Sequence, residues 1–227
     1  MNQWWKIVVS IFIIIGLVAC SNDADEETQD PAESLEIEIT EEEIIDENKE
    51  VIRINGTAVK GDKYNHIYPQ IKAQAIQLEE EVDQDELVER TIDALIEREL
   101  MIQEAEEEGI VVSAEDVTKE FDTIKTANEE GLSTLLEQFH LSEEAFKEQL
   151  KFELTLDMYA KEIVEPEVTD EEIKEYYDLI KEQNEDIPEL EELRVDIESQ
   201  IQQQKSLEEI QDILVEKREN ADIERNI

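Results

Sequence analysis

LVERTIDALIERELMIQEAEEEGIVVSAEDV, residues 87–117, carries the clearest structural signal in the chain. Val88, Ile92, Leu95, Ile96, Leu100 and Ile102 recur at helical spacing and cover a broad face, which predicts a helix over 85–108. Gly109 supplies its stop, and Ser113 with Asp116 reads as the N-cap of the next helix. Thr169 with Glu172, and Ser206 with Glu209, repeat that signature downstream. Long periodic stretches, 5 Gly and 4 Pro predict a mostly α body.

Outward from this helix, VIRINGTAV at 51–59 is a short β-branched run holding the reverse-turn pair Asn55-Gly56. A helical stretch is expected from Gly61 through Glu81, and another from Pro188 onward. The chain closes with ADIERNI, which alternates like a strand. Residues 51–54 and 222–225 are therefore expected to pair, as a small two-stranded union of the body's two ends. Helix 143–163 differs from its neighbours. Phe146, Leu150, Leu154 and Met158 form one apolar stripe, and Phe152, Leu156, Tyr159 and Ile163 form another on roughly the opposite side. A helix apolar on two faces buries both or leaves one for a partner.

Before the body the composition shifts twice. Ile7 to Gly16 is an uncharged apolar run of signal-peptide length, too short to span a bilayer with ease. Leu17, Val18 and Ala19 then precede Cys20, the only cysteine. This resembles a bacterial lipobox. The resemblance implies a lipoprotein signal peptide over 1–19, cleavage between Ala19 and Cys20, and lipidation of the Cys20 thiol. Two or more acyl chains hold a protein stably on a membrane, whereas one does so marginally. A lipidated Cys20 also leaves no free thiol for a disulfide, a nucleophile or a metal site. Residues 21–50 hold 14 acidic residues and one Lys, so 20–50 reads as a disordered acidic tether with a brief helical turn near Thr40–Ile45. The folded domain is then expected over 51–227.

With 64 acidic and 20 basic residues the formal charge is −44, and −45 once Lys6 leaves with the signal peptide. Nucleic acid is excluded, because phosphate contacts need clustered Lys and Arg. Attraction to an anionic lipid surface is excluded as well, so the membrane is reached through the lipid anchor. Carboxylates in this excess keep a surface solvated in a salty or alkaline exterior. No stretch has the alternating ligands, central Gly and closing Glu of a calcium loop, and no zinc spacing, phosphate loop or nucleophile elbow occurs. His66 and His140 fall on separate segments and read as surface or capping residues. No cofactor, metal or catalytic residue is expected.

The order of elements is similar to the N-terminal chaperone domain of SurA/PrsA-type extracytoplasmic foldases, and to the C-terminal chaperone domain of trigger factor. The strand ending in Asn55-Gly56 carries the likeness, with Leu95, Ile96, Leu100, Ala105, Gly109 and Ile110 after it. Val168 to Ile173, running into Tyr176-Tyr177, completes it, over about residues 51–180. The resemblance implies a SurA N-terminal-like helical domain that binds unfolded or newly exported proteins. In that family a parvulin-type isomerase domain follows the Tyr-Tyr helix. Here 50 residues follow Tyr177, without His or Gly, and they look like the family's closing helices and strand. The expected function is a membrane-anchored, extracytoplasmic, non-enzymatic holdase. A dedicated scaffold for one partner is the alternative, and a prolyl isomerase using an unfamiliar site is a weaker one. Stripe geometry nominates Phe121, Phe139, Phe152, Leu156 and Tyr159 for client binding.

Overall fold

The structure, a computed structural model, describes residues 37–139, 141–164, 166–184 and 187–227. The expected signal peptide over 1–19 with Ala19 and Cys20, the expected tether up to residue 36, and His140 lie outside them.

Strands β1 (Glu50–Ile54) and β2 (Thr57–Lys60) form a hairpin over Asn55-Gly56. Both turn residues have positive φ, 50° and 86°, the pairing that matches the twist of a two-residue hairpin. Strand β3 (Ile223–Arg225) joins the other edge of β1, antiparallel, with Ile52 opposite Arg225 and Ile54 opposite Ile223. The ends of the body do meet. The expected two-stranded union is, however, a three-stranded sheet of order β2-β1-β3, because the Asn-Gly turn returns the chain at once.

Helices follow in order: α1 (Gly61–Gln77), α2 (Gln84–Glu107), α3 (Ala114–Ala127), α4 (Glu129–Gln138), α5 (Glu143–Tyr159), α6 (Asp170–Gln183) and α7 (Leu190–Asn220). Helix α1 stops short of the expected Glu81, turning at Glu79 with φ 53°. Gly109, at φ 84°, ends α2 where the sequence places the stop. Ser113 Oγ accepts from the Asp116 amide (3.1 Å), and Thr169 Oγ1 from the Glu172 amide (3.3 Å), so both predicted caps form. The third does not. Ser206 is buried in the middle of α7, because the Gln and Lys residues before it are good helix formers and nothing breaks the run.

Two units divide the described residues. The first comprises residues up to Ile96, Ile124–Phe146 and Ile223–Ile227. It holds the sheet, whose Val51, Ile52 and Ile54 are fully buried, and α1, whose Tyr64 and Tyr68 stack at 5.4 Å. Arg225 ties β3 to α2 through Glu89 (2.6 Å) and Asp93 (3.1 Å). The second comprises Glu97–Thr123 and Lys147–Asp222. There α6 and α7 enclose a small core of Ile173, Tyr177, Ile197 and Ile201, each side chain contributing about 1.5–3 kcal/mol of burial. The Tyr177 hydroxyl donates to the Pro188 carbonyl (3.1 Å), and Lys205 pairs with Glu172 (2.9 Å) across the two helices.

The folded part also begins before Val51. Residues 37–49 lie along α1 as a strap, with Ile37 buried and a short 3-10 turn at Glu41–Glu43. This corrects the expected tether boundary. An acidic composition hides one apolar anchor and a few specific polar partners on a distant helix.

Candidate functional site

The second stripe of α5 ends in a π-helical turn, Ala160–Val164, before Pro166, which has no amide hydrogen to continue the helix. Along this stretch Phe152, Leu154, Leu156 and Met158 are half-buried, and Ile163 is 40% exposed. Phe152, Leu156 and Ile163 share one side of this stretch, and Leu154 and Met158 lie on roughly the opposite one.

Phe152 lies under the Arg98 guanidinium, 4.4 Å from the ring centroid. Arg98 also donates to Gln149 Oε1 (2.6 Å) and to the Glu148 carbonyl (2.7 Å), and Gln149 Nε2 donates on to Glu153 Oε1 (3.2 Å). Burial lowers the Arg98 pKa to about 10, against the charges of Glu148 and Glu153. Burial likewise raises the Glu153 carboxyl, opposed by the Gln149 hydrogen bond and by Arg98. A desolvated cation fixed on one face leaves Phe152 only part of its ring to offer. The sequence reading missed Arg98, although a rare cation set between the apolar positions Ile96 and Leu100 is a signal for such a contact.

Two nominated residues belong to the core instead. Tyr159 is 1% exposed, and its hydroxyl donates to Glu104 Oε1 (3.0 Å). Burial first, then the Glu104 hydrogen bond, push its phenol pKa upward. Glu104 in turn pairs with Lys217, which also holds Glu107 (2.8 Å), so α2, α5 and α7 are tied at one point. Phe121 is 3% exposed, with Lys147 Nζ 4.4 Å above its ring. Neither offers exposed surface: Tyr159 turns onto Glu104 of α2, and Phe121 lies beneath Lys147 of α5. Phe139 caps α4 in the first unit and is half-buried. Phe152 and Leu156 remain, one turn apart on α5.

Among the described residues no group of three or more His, Cys, Asp and Glu could hold a metal ion. No described helix is long and apolar enough to cross a membrane.

Comparison with known proteins places this architecture. The SurA-like N-terminal domain model matches residues 2–160. The foldase protein PrsA of Caldanaerobacter subterraneus subsp. tengcongensis is 27% identical over 184 residues, covering 76% of this chain and 50% of that relative. The foldase protein PrsA of Clostridium perfringens is 33% identical over 129 residues, covering 54% of this chain and 35% of its own length. The chain thus spans about half the length, or less, of these curated relatives. Matched by the family model over residues 2–160, most of its length, this sheet-closed helical chain belongs to the SurA-like N-terminal domain family of chaperone-like foldases.

Proposed function

We propose that this protein is a lipid-anchored holdase, without isomerase activity, that retains unfolded exported polypeptides at the outer face of the cytoplasmic membrane. The observation that carries the reading is the partly accessible apolar trio Phe152, Leu156 and Ile163 on one side of α5 and its closing turn, set in a body of extreme negative charge. Shallow apolar contact holds an unfolded segment weakly enough to release it. The surrounding carboxylates keep the complex soluble and favour clients with basic segments. The non-enzymatic part is supported by the use made of the residues after Tyr177. They continue α6, build α7, and supply β3, which completes the sheet. Anchoring is supported by Leu17-Val18-Ala19-Cys20 following an apolar run.

The test is light scattering of a chemically denatured client diluted into buffer with equimolar protein. Aggregation slows if the reading is right. Phe152→Ser with Leu156→Ser weakens the effect, while circular dichroism reports an unchanged helical content. No slowing for several unrelated clients overturns the holdase reading. A peptide prolyl-isomerisation rate above background overturns its non-enzymatic part. One stoichiometric partner recovered from membranes, in place of many minor ones, marks a scaffold.

A further inference from the structure

Gly61, Asn65, Tyr68 and Lys72 stand at i, i+4, i+7 and i+11 on α1 and form one stripe along the helix. The strap lies on this stripe. Asn65 reads one residue of it twice: Oδ1 accepts from the Ile45 amide (3.0 Å), and Nδ2 donates to the Ile45 carbonyl (2.8 Å). Lys72 Nζ donates to the Glu38 carbonyl (2.7 Å) and to Glu43 Oε1 (2.7 Å), which also accepts from the Tyr68 hydroxyl (2.7 Å). Three of these five bonds go to main-chain atoms, which every extended polypeptide presents alike. Only the Glu43 bonds ask for a particular side chain, and that side chain is a carboxylate.

The strap's apolar hold is slight, and its strongest side-chain tie is the Glu43 carboxylate. Ile37 is 3% exposed, yet Ile44 is 53% exposed and Ile39 and Ile45 are half-buried. Glu38, Glu41 and Glu42 point to solvent on a body already crowded with carboxylates. The segment is therefore held by side chains that recognise backbone, with one carboxylate, one apolar anchor and an unfavourable overall field. Residues 47–49 differ. The Glu47 and Lys49 carbonyls accept from the Asp62 and Gly61 amides (3.2 and 2.8 Å) and cap the first turn of α1. The strap can lift as far as this cap without uncapping the helix.

We infer that the Asn65–Tyr68–Lys72 stripe of α1 is a backbone-reading peptide site, that residues 37–46 occupy it as an internal ligand, and that an extended client segment displaces them. The inference rests on the holdase reading and adds to it a second contact and its regulation. A site whose competent form is populated one tenth of the time binds about tenfold more weakly than the open form. Loosening the strap from its own side should therefore tighten client binding.

The experiment uses the full-length protein in detergent and a reduced, carboxymethylated globular protein as a permanently unfolded client. Affinity is read by fluorescence anisotropy, and strap opening by hydrogen exchange at the Ile45 amide. Strap-side changes, Ile37→Ser with Glu43→Gln, are expected to speed exchange at Ile45 and raise affinity several-fold. Stripe-side changes, Asn65→Ala with Lys72→Met, are expected to speed exchange equally but leave affinity unraised, because they damage the reading groups themselves. Added client should speed exchange at Ile45 in the unaltered protein. The inference is overturned if strap-side changes open the strap without raising affinity, or if both pairs of changes raise it alike. If no form binds the client at all, the holdase reading fails as well, which is a separate result.

Discussion

Tyr159 on α5 and Glu104 on α2 are both buried and joined by a 3.0 Å hydrogen bond, and Glu104 is also the carboxylate partner of Lys217 on α7. Three helices thus meet at a paired charge. Removing the phenol oxygen takes one donor from a buried carboxylate, a change that costs about 1–3 kcal/mol. Tyr159→Phe is therefore expected to lower the urea midpoint with an unchanged slope. Lys217→Met should cost more than Tyr159→Phe, because it takes the cation from the buried Glu104 carboxylate. It should cost less than the about 3–5 kcal/mol of a fully buried pair, since Lys217 is 37% exposed and water screens part of the charge. Equal and negligible shifts for both variants would contradict the tie.

Acid and alkali should act on different groups. Burial pushes the Glu43 carboxyl up, but hydrogen bonds from Lys72, the Thr40 amide, Tyr68 and the Thr40 hydroxyl outweigh it and hold the pKa at about 2. Glu172 is also held at about 2, by the Thr169 amide, Lys205 and the Thr169 hydroxyl. Depressed carboxyls stabilise the fold above their unfolded value of 4.5, and that contribution is lost as pH falls from there toward 2. Tyr64 moves the other way, raised to about 12 by burial and by the Glu43 charge. Burial raises Tyr68 too, with the Glu43 hydrogen bond adding to it. Raised phenols cost nothing below pH 10, and they withdraw stability as pH climbs through 12, where the unfolded chain ionises first. Denaturation midpoints should be level between these limits and fall outside them. Glu43→Gln should flatten the acid limb selectively.

Gly61 opens α1 directly beneath the strap's turn. A Cβ built there would sit well inside van der Waals contact with the Asp46 carbonyl oxygen and touch its carbon at 2.9 Å. Backbone, not a flexible side chain, would have to yield. Gly61→Ala is expected to destabilise the protein by about 1–3 kcal/mol despite alanine's better helix propensity. Amide exchange should quicken at Gly61 and Asp62, whose donors are capped by Lys49 and Glu47. A stabilised variant would show that the turn moves freely.

Cys20→Ala should abolish lipid labelling and leave a precursor of higher mass in the membrane fraction. Metabolic labelling with a radioactive fatty acid, followed by electrophoresis, reads both effects. Normal labelling of the variant would refute the anchor.

Much of this architecture is legible in the chain because its cues are local. The β-branched run at 51–54, the Asn55-Gly56 turn, the Gly109 stop and the caps at Ser113 and Thr169 each depend on neighbours within a few residues. Ser206 shows the limit of such cues, since the same cap pattern inside an unbroken helix means nothing. Stripe geometry has another limit. It shows that Phe152, Leu156 and Tyr159 share a side of α5, but not that Tyr159 meets Glu104 from a helix 55 positions earlier in sequence. The turn near Thr40–Ile45 is legible, but the docking of the strap on α1 is not, for the same reason. Its acidic residues read as self-repelling, while Lys72, Tyr68 and Asn65, which hold it, lie 20 to 34 residues away.

Strand β3 pairs with β1, so the last residues described complete a sheet begun near the start of the body. Contacts this distant in sequence close late and slow folding. If the chain leaves the cytoplasm N-terminus first, β1 and β2 emerge as a lone hairpin, and isolated hairpins are at best marginally stable. Completion of the sheet would then wait on the emergence of the segment that carries β3. A chain cut before Ile223 would leave the edge of β1 unpaired and open to proteolysis.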